Sequence, residues 1–198
     1  MRFSRKIPST ALAVLSLVFA LAAVSSAQKH EGSFPNIKVK NFGQMDERFY
    51  RGAQPKEKDY QALAALGIKT VIDLREDPES YERGNVEALG MRYVNIPMDD
   101  KKYPKLEQIN EFLKLVDEPA TGKFFVHCAG GRHRTGVMGA AYRFTHYQWN
   151  LDQVYAEMKD YDFYTRFGHG KLKDFVVDYG KQIQARQATA VAPVAVSH

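Results

Sequence analysis

The stretch VHCAGGRHRTG, residues 126–136, holds the only cysteine of this 198-residue chain, Cys128, and an arginine six positions later, Arg134. The apolar run before the cysteine is typical of a buried strand, and the run that follows the arginine is typical of a helix. The first amides of a helix have no intrahelical partner and lie at the positive end of its dipole. Gly130 and Gly131 let the loop curl so that successive amides point inward. The stretch therefore predicts an anion-binding loop with a thiol at its base.

The predicted loop places the thiol of Cys128 in a field that favours its ionised form. At such sites the pKa of a cysteine falls from about 8.5 to roughly 3.5–7.5, so the nucleophilic thiolate predominates at neutral pH. The planar guanidinium of Arg134 can hold two oxygens of a phosphoryl group, and the hydroxyl of Thr135 can donate to the sulfur. A cysteine after an apolar strand is often an inert core residue. The arginine at this spacing, with two glycines between, favours the catalytic interpretation.

Strands and helices alternate around this loop. Predicted strands cover residues 48–52, 69–74, 91–97 and 123–128. Predicted helices cover residues 54–67, 77–90, 105–118, 134–148, 150–161 and 171–184. The alternation predicts an α/β domain with a central, mostly parallel sheet of about four to five strands flanked by helices. Ligands bind such sheets beyond the carboxyl ends of the strands, which is where Cys128 falls.

The chain begins with the features of an export signal. Three basic residues precede an apolar run, Ala11–Val24, and small residues then lead to a predicted cut after Ala27. The run is shorter than the roughly 18 apolar residues that span a bilayer. Residues 1–27 are therefore interpreted as a cleaved signal peptide, with an uncleaved anchor as the alternative. We expect the protein to be exported, either to a periplasm or out of the cell.

The remainder of the chain divides into three parts. Residues 28–46 are predicted to be an irregular lead-in, residues 47–184 to be one domain, and the Ala/Val-rich residues 185–198 to be a disordered tail. The whole chain has 28 basic and 23 acidic residues. Because the signal holds three of the basic residues and no acidic one, the net charge after cleavage is +2. This near balance gives no reason to expect nucleic-acid binding, and a single cysteine forms no internal disulfide.

The sequence HCAGGRHRTG matches the Cys-x5-Arg signature of the protein tyrosine and dual-specificity phosphatases, and the chain resembles this family over most of residues 47–180. RFYRGAQP, LGIKTVIDLR and RYVNIP are similar to segments of the small atypical dual-specificity phosphatases of bacteria, fungi and plants. GRHRTG is close to the GKHRTG form of a fungal and plant group, some of whose members act on inositol pyrophosphates. Ala129 and Gly130 depart from that group, which usually carries polar or basic residues there.

The resemblance implies the cysteine-phosphatase fold and catalysis by Cys128, Arg134 and Thr135 without a metal or other cofactor. It also implies a supporting role for His127, hydrogen-bonded near the backbone of Cys128, and an inward-facing core histidine is the alternative. The loop residues implied to bind the substrate are Ala129, Gly130, Gly131, Arg132, His133 and Arg134. Two of them, Arg132 and His133, are interpreted as rim residues that either contact an acidic substrate or are simply solvated. The chain lacks the phosphotyrosine-recognition and Trp-Pro-Asp loops of tyrosine-specific enzymes, which favours a shallower pocket.

A general acid must protonate the leaving oxygen when a phosphate ester is cleaved. The segment IPMDDKKYP, residues 96–104, follows a predicted strand and therefore lies at the same edge of the sheet as Cys128. The resemblance places the acid three residues after the proline of this segment, Pro97, which indicates Asp100. Asp99 is the alternative.

Together these residues favour an exported, metal-independent phosphatase that cleaves phosphotyrosine or phosphoserine and phosphothreonine through a cysteinyl-phosphate. An enzyme for inositol polyphosphates or other small polyanions is the alternative, and a phosphate-binding module without turnover is a third interpretation. The expected partner is a phosphorylated protein or small molecule, with no nucleic acid and no stable membrane span after signal cleavage. Arg51 could reach the site but is interpreted as a structural residue of a strand edge.

Overall fold

The computed structural model describes residues 34–191. Its strands are β1 (Gly43–Gln44), β2 (Phe49–Ala53), β3 (Ile68–Asp73), β4 (Arg92–Asn95) and β5 (Lys123–Cys128). They form one sheet in the order β1-β2-β5-β3-β4, in which β1 is antiparallel to β2 and all other pairs are parallel. The predicted α/β fold with a mostly parallel sheet is therefore confirmed, and the four parallel strands end at the same edge.

Helices connect the strands and cover both faces of the sheet. They are α1 (Asp59–Ala65), α2 (Glu82–Ala88), α3 (Leu106–Asp117), α4 (Arg134–His146), α5 (Leu151–Asp160) and α6 (Gly170–Val191). Asn150 caps α5 as its residue type predicts, because its side-chain oxygen accepts the amide of Gln153 at 3.0 Å. The longest of these helices lacks the apolar character needed to cross a membrane, and so do the other described helices.

The hydrophobic core has two parts because successive side chains of a strand point to opposite faces of the sheet. Phe124 and Val126 of β5 belong to the larger part, together with apolar residues of α3, α4, α5 and α6. Phe125 belongs to the smaller part, with apolar residues of α1 and α2. Phe42 of the lead-in stacks on Phe125 with ring centroids 6.0 Å apart. The segment just before β1 is therefore packed onto the domain.

Two predicted boundaries were wrong. The lead-in, predicted to be irregular to residue 46, contains β1, whose two residues pair with Tyr50 and Arg51 of β2. The tail, predicted to be disordered from residue 185, is helical to residue 191, because α6 continues past the predicted end at Gln184. The predicted signal and the last seven residues lie outside the described part of the chain.

Candidate active site

The parallel strands bring the predicted site residues to one edge of the sheet. β5 ends at Cys128, which pairs in register with Ala53 at the end of β2. The loop after Cys128 leads directly into α4, whose first residue is Arg134. The predicted order of strand, cysteine, loop, arginine and helix is therefore what the chain adopts. Cys128 is 3% exposed and Arg134 is 8% exposed, so both lie at the bottom of the loop.

The loop between them is held from behind. Gly131 has a φ of +65°, and a Cβ there would collide with the backbone of Gly52 and Ala53, so only glycine fits without strain. The carbonyl of Gly131 accepts from the buried guanidinium of Arg51 at 2.8 Å and from the side-chain amide of Asn41 at 3.0 Å. With the carbonyls tied back in this way, the loop amides are free to face the anion site.

The thiol of Cys128 lies in an environment that favours the thiolate. Burial raises its pKa, but the charge of Arg134 and hydrogen bonds from Thr135 and from the Gly130 amide outweigh burial, so the pKa is below its ordinary value. The amide of Thr135 is one of these donors and its hydroxyl is another. The hydroxyl oxygen is buried and forms no hydrogen bond of good geometry within residues 34–191, so its effect on the sulfur is chiefly electrostatic. The electrostatics agree with the sequence-based expectation of a reactive cysteine.

Arg134 is anchored on one side and open on the other. Its Nη1 donates to the carbonyl of Met98 at 3.2 Å and lies 3.5 Å from the carbonyl of Leu74. Its Nε is buried and has no partner among the described residues. A buried cationic donor without an acceptor is costly, and an oxyanion at the loop would supply the acceptor. The guanidinium therefore has the orientation and the free donor that binding a phosphoryl group requires.

The two candidate acids differ in their surroundings. The carboxylate of Asp99 accepts the amides of Lys101 and Lys102 at 2.8 and 3.1 Å and pairs with the ammonium of Lys102 at 2.8 Å. The hydrogen bond from Lys102 is the main cause that lowers the pKa of Asp99 to about 2. A carboxylate held by two amides and an ammonium group is a weaker proton donor, and its contacts with Lys101 and Lys102 would have to be given up for it to serve a substrate. Asp99 is therefore poorly suited to be the acid.

The carboxylate of Asp100, by contrast, is not held by neighbouring residues in the described part of the chain. Its carboxylate forms no hydrogen bond or ion pair with another residue in the range 34–191, and its charge acts on the ring of His133 in the loop. Its backbone carbonyl accepts from Nδ1 of His169 at 2.8 Å, which ties the segment to the start of α6. These contacts favour Asp100, the residue that the resemblance indicates, over Asp99.

We expect Asp100→Asn to slow hydrolysis of alkyl phosphates by about 10²–10³-fold, because the leaving alkoxide then departs without a proton. The kcat/KM for p-nitrophenyl phosphate, which reports the first step, should fall far less, because this leaving group needs little protonation. Asp99→Asn is the matched control, and it should treat the two substrates alike. Steady-state rates with both substrates decide the matter, and a leaving-group effect in Asp99→Asn alone would move the acid to Asp99.

A buried charged cluster lies behind the loop. Nε2 of His127 is 2.7 Å from Oε1 of Glu82, and Nδ1 of His127 is 3.8 Å from Oδ1 of Asp73, with all three side chains fully buried. The ring approaches Glu82 off the line of an ideal hydrogen bond, so the contact acts chiefly as an ion pair. Sequence reasoning expected a hydrogen bond from His127 to the backbone near Cys128. The structure instead directs both ring nitrogens toward carboxylates.

The charges of this cluster are mutually stabilised. Burial lowers the pKa of His127, but the contact with Glu82 outweighs burial and the net pKa is raised. Burial raises the pKa of Glu82, yet His127 brings it below its ordinary value. Burial is also the main reason why the pKa of Asp73 is raised. The pairing therefore favours the protonated form of the imidazole and the ionised form of Glu82.

The same three residues form the one group within residues 34–191 whose donor atoms are close enough to hold a metal ion. The free carboxylate oxygens are already used, since Glu82 accepts from Gln54 at 2.9 Å and Asp73 accepts from Tyr93 at 3.1 Å. The raised pKa of His127 favours a protonated imidazole, which offsets the charge of Glu82 without a metal ion. The arrangement is therefore better explained as a buried ion pair, and metal independence of the enzyme stays a prediction.

We expect Glu82→Gln to lower the free energy of unfolding by about 3 kcal/mol, because it leaves the buried imidazole without its counter-charge. The share due to His127, whose pKa is raised on folding, is complete below about pH 6.5 and is lost as the pH rises through the folded-state pKa. The share due to Glu82, whose pKa is lowered, is complete above about pH 4.5 and is lost as the pH falls. Urea unfolding across this pH range measures the effect.

The control for this prediction is Glu87→Gln on the same helix. Glu87 pairs with Arg83 at 3.2 Å with both side chains more than half exposed, so its loss should cost only about 0–1 kcal/mol. Equal losses of stability in the Glu82 and Glu87 variants would contradict the assignment of a buried ion pair.

The two predicted rim residues, Arg132 and His133, differ in their exposure to solvent. Arg132 is half-exposed, and with Ala129 and Gly130 it lines a cavity of about 410 Å³ beside the loop. His133 is buried, its ring stacked on His169 with centroids 3.6 Å apart. Burial, and then the neighbouring His169, lower the pKa of His133 to about 4. The expectation that His133 contacts an acidic substrate at the rim was wrong, because its ring is neutral at pH 7 and packed inside.

Three residues outside the loop help to shape it, and sequence reasoning recognised one of them. Arg51 was interpreted as structural, and its guanidinium donates to the carbonyl of Gly131. Asn41 was missed because it lies in the predicted irregular lead-in. Its φ of +52° and the neighbouring Gly43 are typical of a turn, but no local signal pairs it with a loop 90 residues away. The contact of His169 with Asp100 is equally non-local and was also missed.

A mostly parallel sheet whose cysteine loop opens onto a helix, with an arginine at the helix start, defines the cysteine phosphatases of the tyrosine and dual-specificity type. The chain belongs to the family described as DSP-PTPase phosphatase fused to NAD+ kinase, whose family model matches residues 21–173. It is thus a phosphatase of the dual-specificity and tyrosine-phosphatase class.

Two curated proteins and one solved structure illustrate what this chain is similar to. A Mycosarcoma maydis protein assigned by name to the tyrosine-protein phosphatases, OCA1, is 35% identical over 130 residues, which cover 60% of this chain and 78% of that protein. Inositol diphosphatase SIW14 of Saccharomyces cerevisiae is 26% identical over 135 residues, 64% of this chain and 47% of that protein. The crystal structure of TpbA from P. aeruginosa superposes with a TM-score of 0.63 at 22% identity, covering 78% of this chain and 92% of that chain. This last likeness shows the shared fold.

Proposed function

We propose that the protein hydrolyses phosphate monoesters, such as phosphotyrosine or phosphoserine and phosphothreonine, through a cysteinyl-phosphate intermediate. The observation that carries the proposal is the buried thiol of Cys128, whose pKa is lowered by the charge of Arg134. The unpartnered Nε of the same arginine provides a donor for the phosphoryl oxygens. A reactive thiolate and an anion site thus occupy the same loop.

In the proposed first step the thiolate of Cys128 attacks phosphorus, and the bond between phosphorus and the leaving oxygen breaks. Asp100 gives its proton to that oxygen as it leaves. Arg134 and the loop amides hold the three equatorial oxygens, where charge is spread in the transition state. In the second step Asp100 takes a proton from water, the water oxygen attacks phosphorus, and the sulfur leaves as a thiolate. Hydrogen bonds from Thr135 stabilise that thiolate.

The test is a panel of substrates given to the purified protein with and without EDTA. Hydrolysis of p-nitrophenyl phosphate and of a phosphotyrosine or phosphoserine peptide, undiminished by EDTA, is the expected result. Binding of phosphate without any hydrolysis would instead support a phosphate-binding module. Activity that EDTA abolishes and added metal restores would contradict the cysteine mechanism.

A second candidate function is the hydrolysis of inositol polyphosphates or other small polyanions. It is favoured by the likeness to a protein named inositol diphosphatase and by a group of lysines that lines a cavity beside the loop. Ala129 and Gly130 contribute no charge to such a substrate, so the cavity lysines would have to supply it. The same panel, extended to inositol hexakisphosphate, compares the two candidates directly.

We also propose that the protein acts outside the cytoplasm, after cleavage following Ala27. The support is the sequence pattern of residues 1–27, with basic residues, an apolar run and small residues before the cut. The mass of the protein recovered from its native cells tests this proposal. An amino terminus at Gln28 is expected, and a recovered protein that still begins at Met1 would overturn it.

A further inference from the structure

A second cavity, of about 340 Å³, opens beside the cysteine loop and is unusually basic. Four of the nine residues that line it are lysines, namely Lys38, Lys40, Lys56 and Lys58. Two come from the lead-in before β1, and two come from the turn between β2 and α1. A near-neutral mature chain therefore gathers four positive charges around one small concavity.

The positive charge of this cavity is only partly offset by the residues around it. None of the four lysines forms an ion pair with a carboxylate in the range 34–191. Asp59 is the one acidic residue of the lining; it is 7% exposed, and its carboxylate accepts the backbone amide of Lys56 at 3.0 Å. Lys38 donates to a neutral acceptor, the carbonyl of Pro35, at 2.8 Å. Like charges that line one cavity repel one another, and an anion bound between them would offset that repulsion.

The basic cavity adjoins the anion-binding loop. Lys40, Ala53 and Ala129 line both this cavity and the cavity of about 410 Å³ that Gly130 and Arg132 also line. Ala129 directly follows Cys128, so the wall shared by the two cavities is part of the loop itself. The amide of Ala53 donates to the carbonyl of Lys40 at 2.8 Å, which fixes the backbone of the lead-in against this wall. An anion among the lysines would therefore be a neighbour of a phosphoryl group at Cys128.

We propose that the lysine cavity is a second anion site, which binds a further phosphate of a substrate whose reacting phosphate lies at Cys128. This inference rests on the proposed phosphatase function and favours the second of its two candidate substrate classes, compact molecules with at least two phosphates. Lysine suits such a role because its ammonium is a point charge on a flexible stem that adapts to phosphates of varied position. Arg132 lines only the neighbouring cavity, where Asp162 lies 3.8 Å away, so the lysines supply the net charge of the second site.

The test uses the double variant Lys56→Gln/Lys58→Gln, with inorganic tripolyphosphate and inorganic phosphate as competing inhibitors of p-nitrophenyl phosphate hydrolysis. Wild-type protein should bind tripolyphosphate at least about tenfold more tightly than phosphate. In the double variant the ratio of the two inhibition constants should be about tenfold smaller than in the wild type. Raising the ionic strength should reduce the preference in the wild type more than in the variant. Lys69→Gln is the matched control, because Lys69 is exposed at the opposite, amino-terminal end of β3, and it should leave the preference unchanged.

The outcomes separate this inference from the proposed function. An equal preference for tripolyphosphate in wild type and double variant, in a protein that hydrolyses p-nitrophenyl phosphate, would overturn the second site and leave the phosphatase intact. A protein without hydrolysis would overturn the proposed function. In that case calorimetric titration with tripolyphosphate and phosphate makes the same comparison of the variants, so the lysine site is still tested.

Discussion

Cys128→Ser is expected to lower the rate of p-nitrophenyl phosphate hydrolysis by roughly four orders of magnitude or more, while phosphate still binds. Serine has almost the size of cysteine, but its hydroxyl does not ionise under conditions where the buried thiol does. The donors that bind the anion, which are the loop amides and Arg134, are unchanged by the substitution. Single-turnover kinetics measure the chemical step, and calorimetry with phosphate measures binding.

Two controls accompany this variant. Cys128→Ala should be as inactive as Cys128→Ser, because neither offers a thiolate. Alkylation of the wild type by iodoacetate should show a pKa below the ordinary value of about 8.5, and bound phosphate should slow it. Hydrolysis by Cys128→Ser at a rate near that of the wild type would show that the nucleophile is another group.

Arg134→Lys is expected to lower kcat/KM by about 10²–10³-fold despite keeping the positive charge. Lysine cannot present two parallel donors to a phosphoryl group, and it loses the fixed orientation that the carbonyl of Met98 gives to the guanidinium. Losing a preorganised donor from an oxyanion site typically costs about this much. The steady-state rate with p-nitrophenyl phosphate measures the loss, and the unfolding midpoint confirms that the variant is folded.

The matched control is Arg132→Lys in the same loop. Arg132 is half-exposed and lies 3.8 Å from Asp162, so its charge is expected to steer substrate more than to hold the reacting phosphate. The kcat/KM of Arg132→Lys should fall by less than about tenfold. This difference from the wild type should become smaller as salt is added. If the two lysine variants lost activity equally, the geometric role assigned to Arg134 would be contradicted, because overall charge alone would then explain both.

The chemistry of the loop could be predicted from sequence because its determinants are local. Cys128, Gly131 and Arg134 lie within seven residues, between an apolar strand and a helix, and the handedness of parallel connections places that strand end at the ligand edge. The preference for Asp100 over Asp99 came from the resemblance. Its physical reason appears only in the fold, where neighbouring lysine groups occupy the carboxylate of Asp99.

What could not be predicted depends on contacts between distant segments. Glu82 has the sequence context of an ordinary residue inside the predicted helix of residues 77–90, and only tertiary packing places it against His127, 45 positions away. His133 has the type and position of an exposed rim residue until the start of α6 brings His169 onto its ring. The two-residue strand β1 is too short to show a hydrophobic period. In each case tertiary packing overrides the local pattern.

The central claim is that Cys128 carries the phosphoryl group during turnover. The most direct test is mass spectrometry of the Asp100→Asn variant quenched with acid during hydrolysis of p-nitrophenyl phosphate. This substrate has a good leaving group, so the first step proceeds, whereas the second step is slowed because its base is missing. The claim predicts protein that carries one phosphoryl group, located on Cys128, and no such adduct when Cys128→Ser is added. A phosphoryl group on any other residue, or an adduct that survives in the Cys128→Ser background, would contradict it.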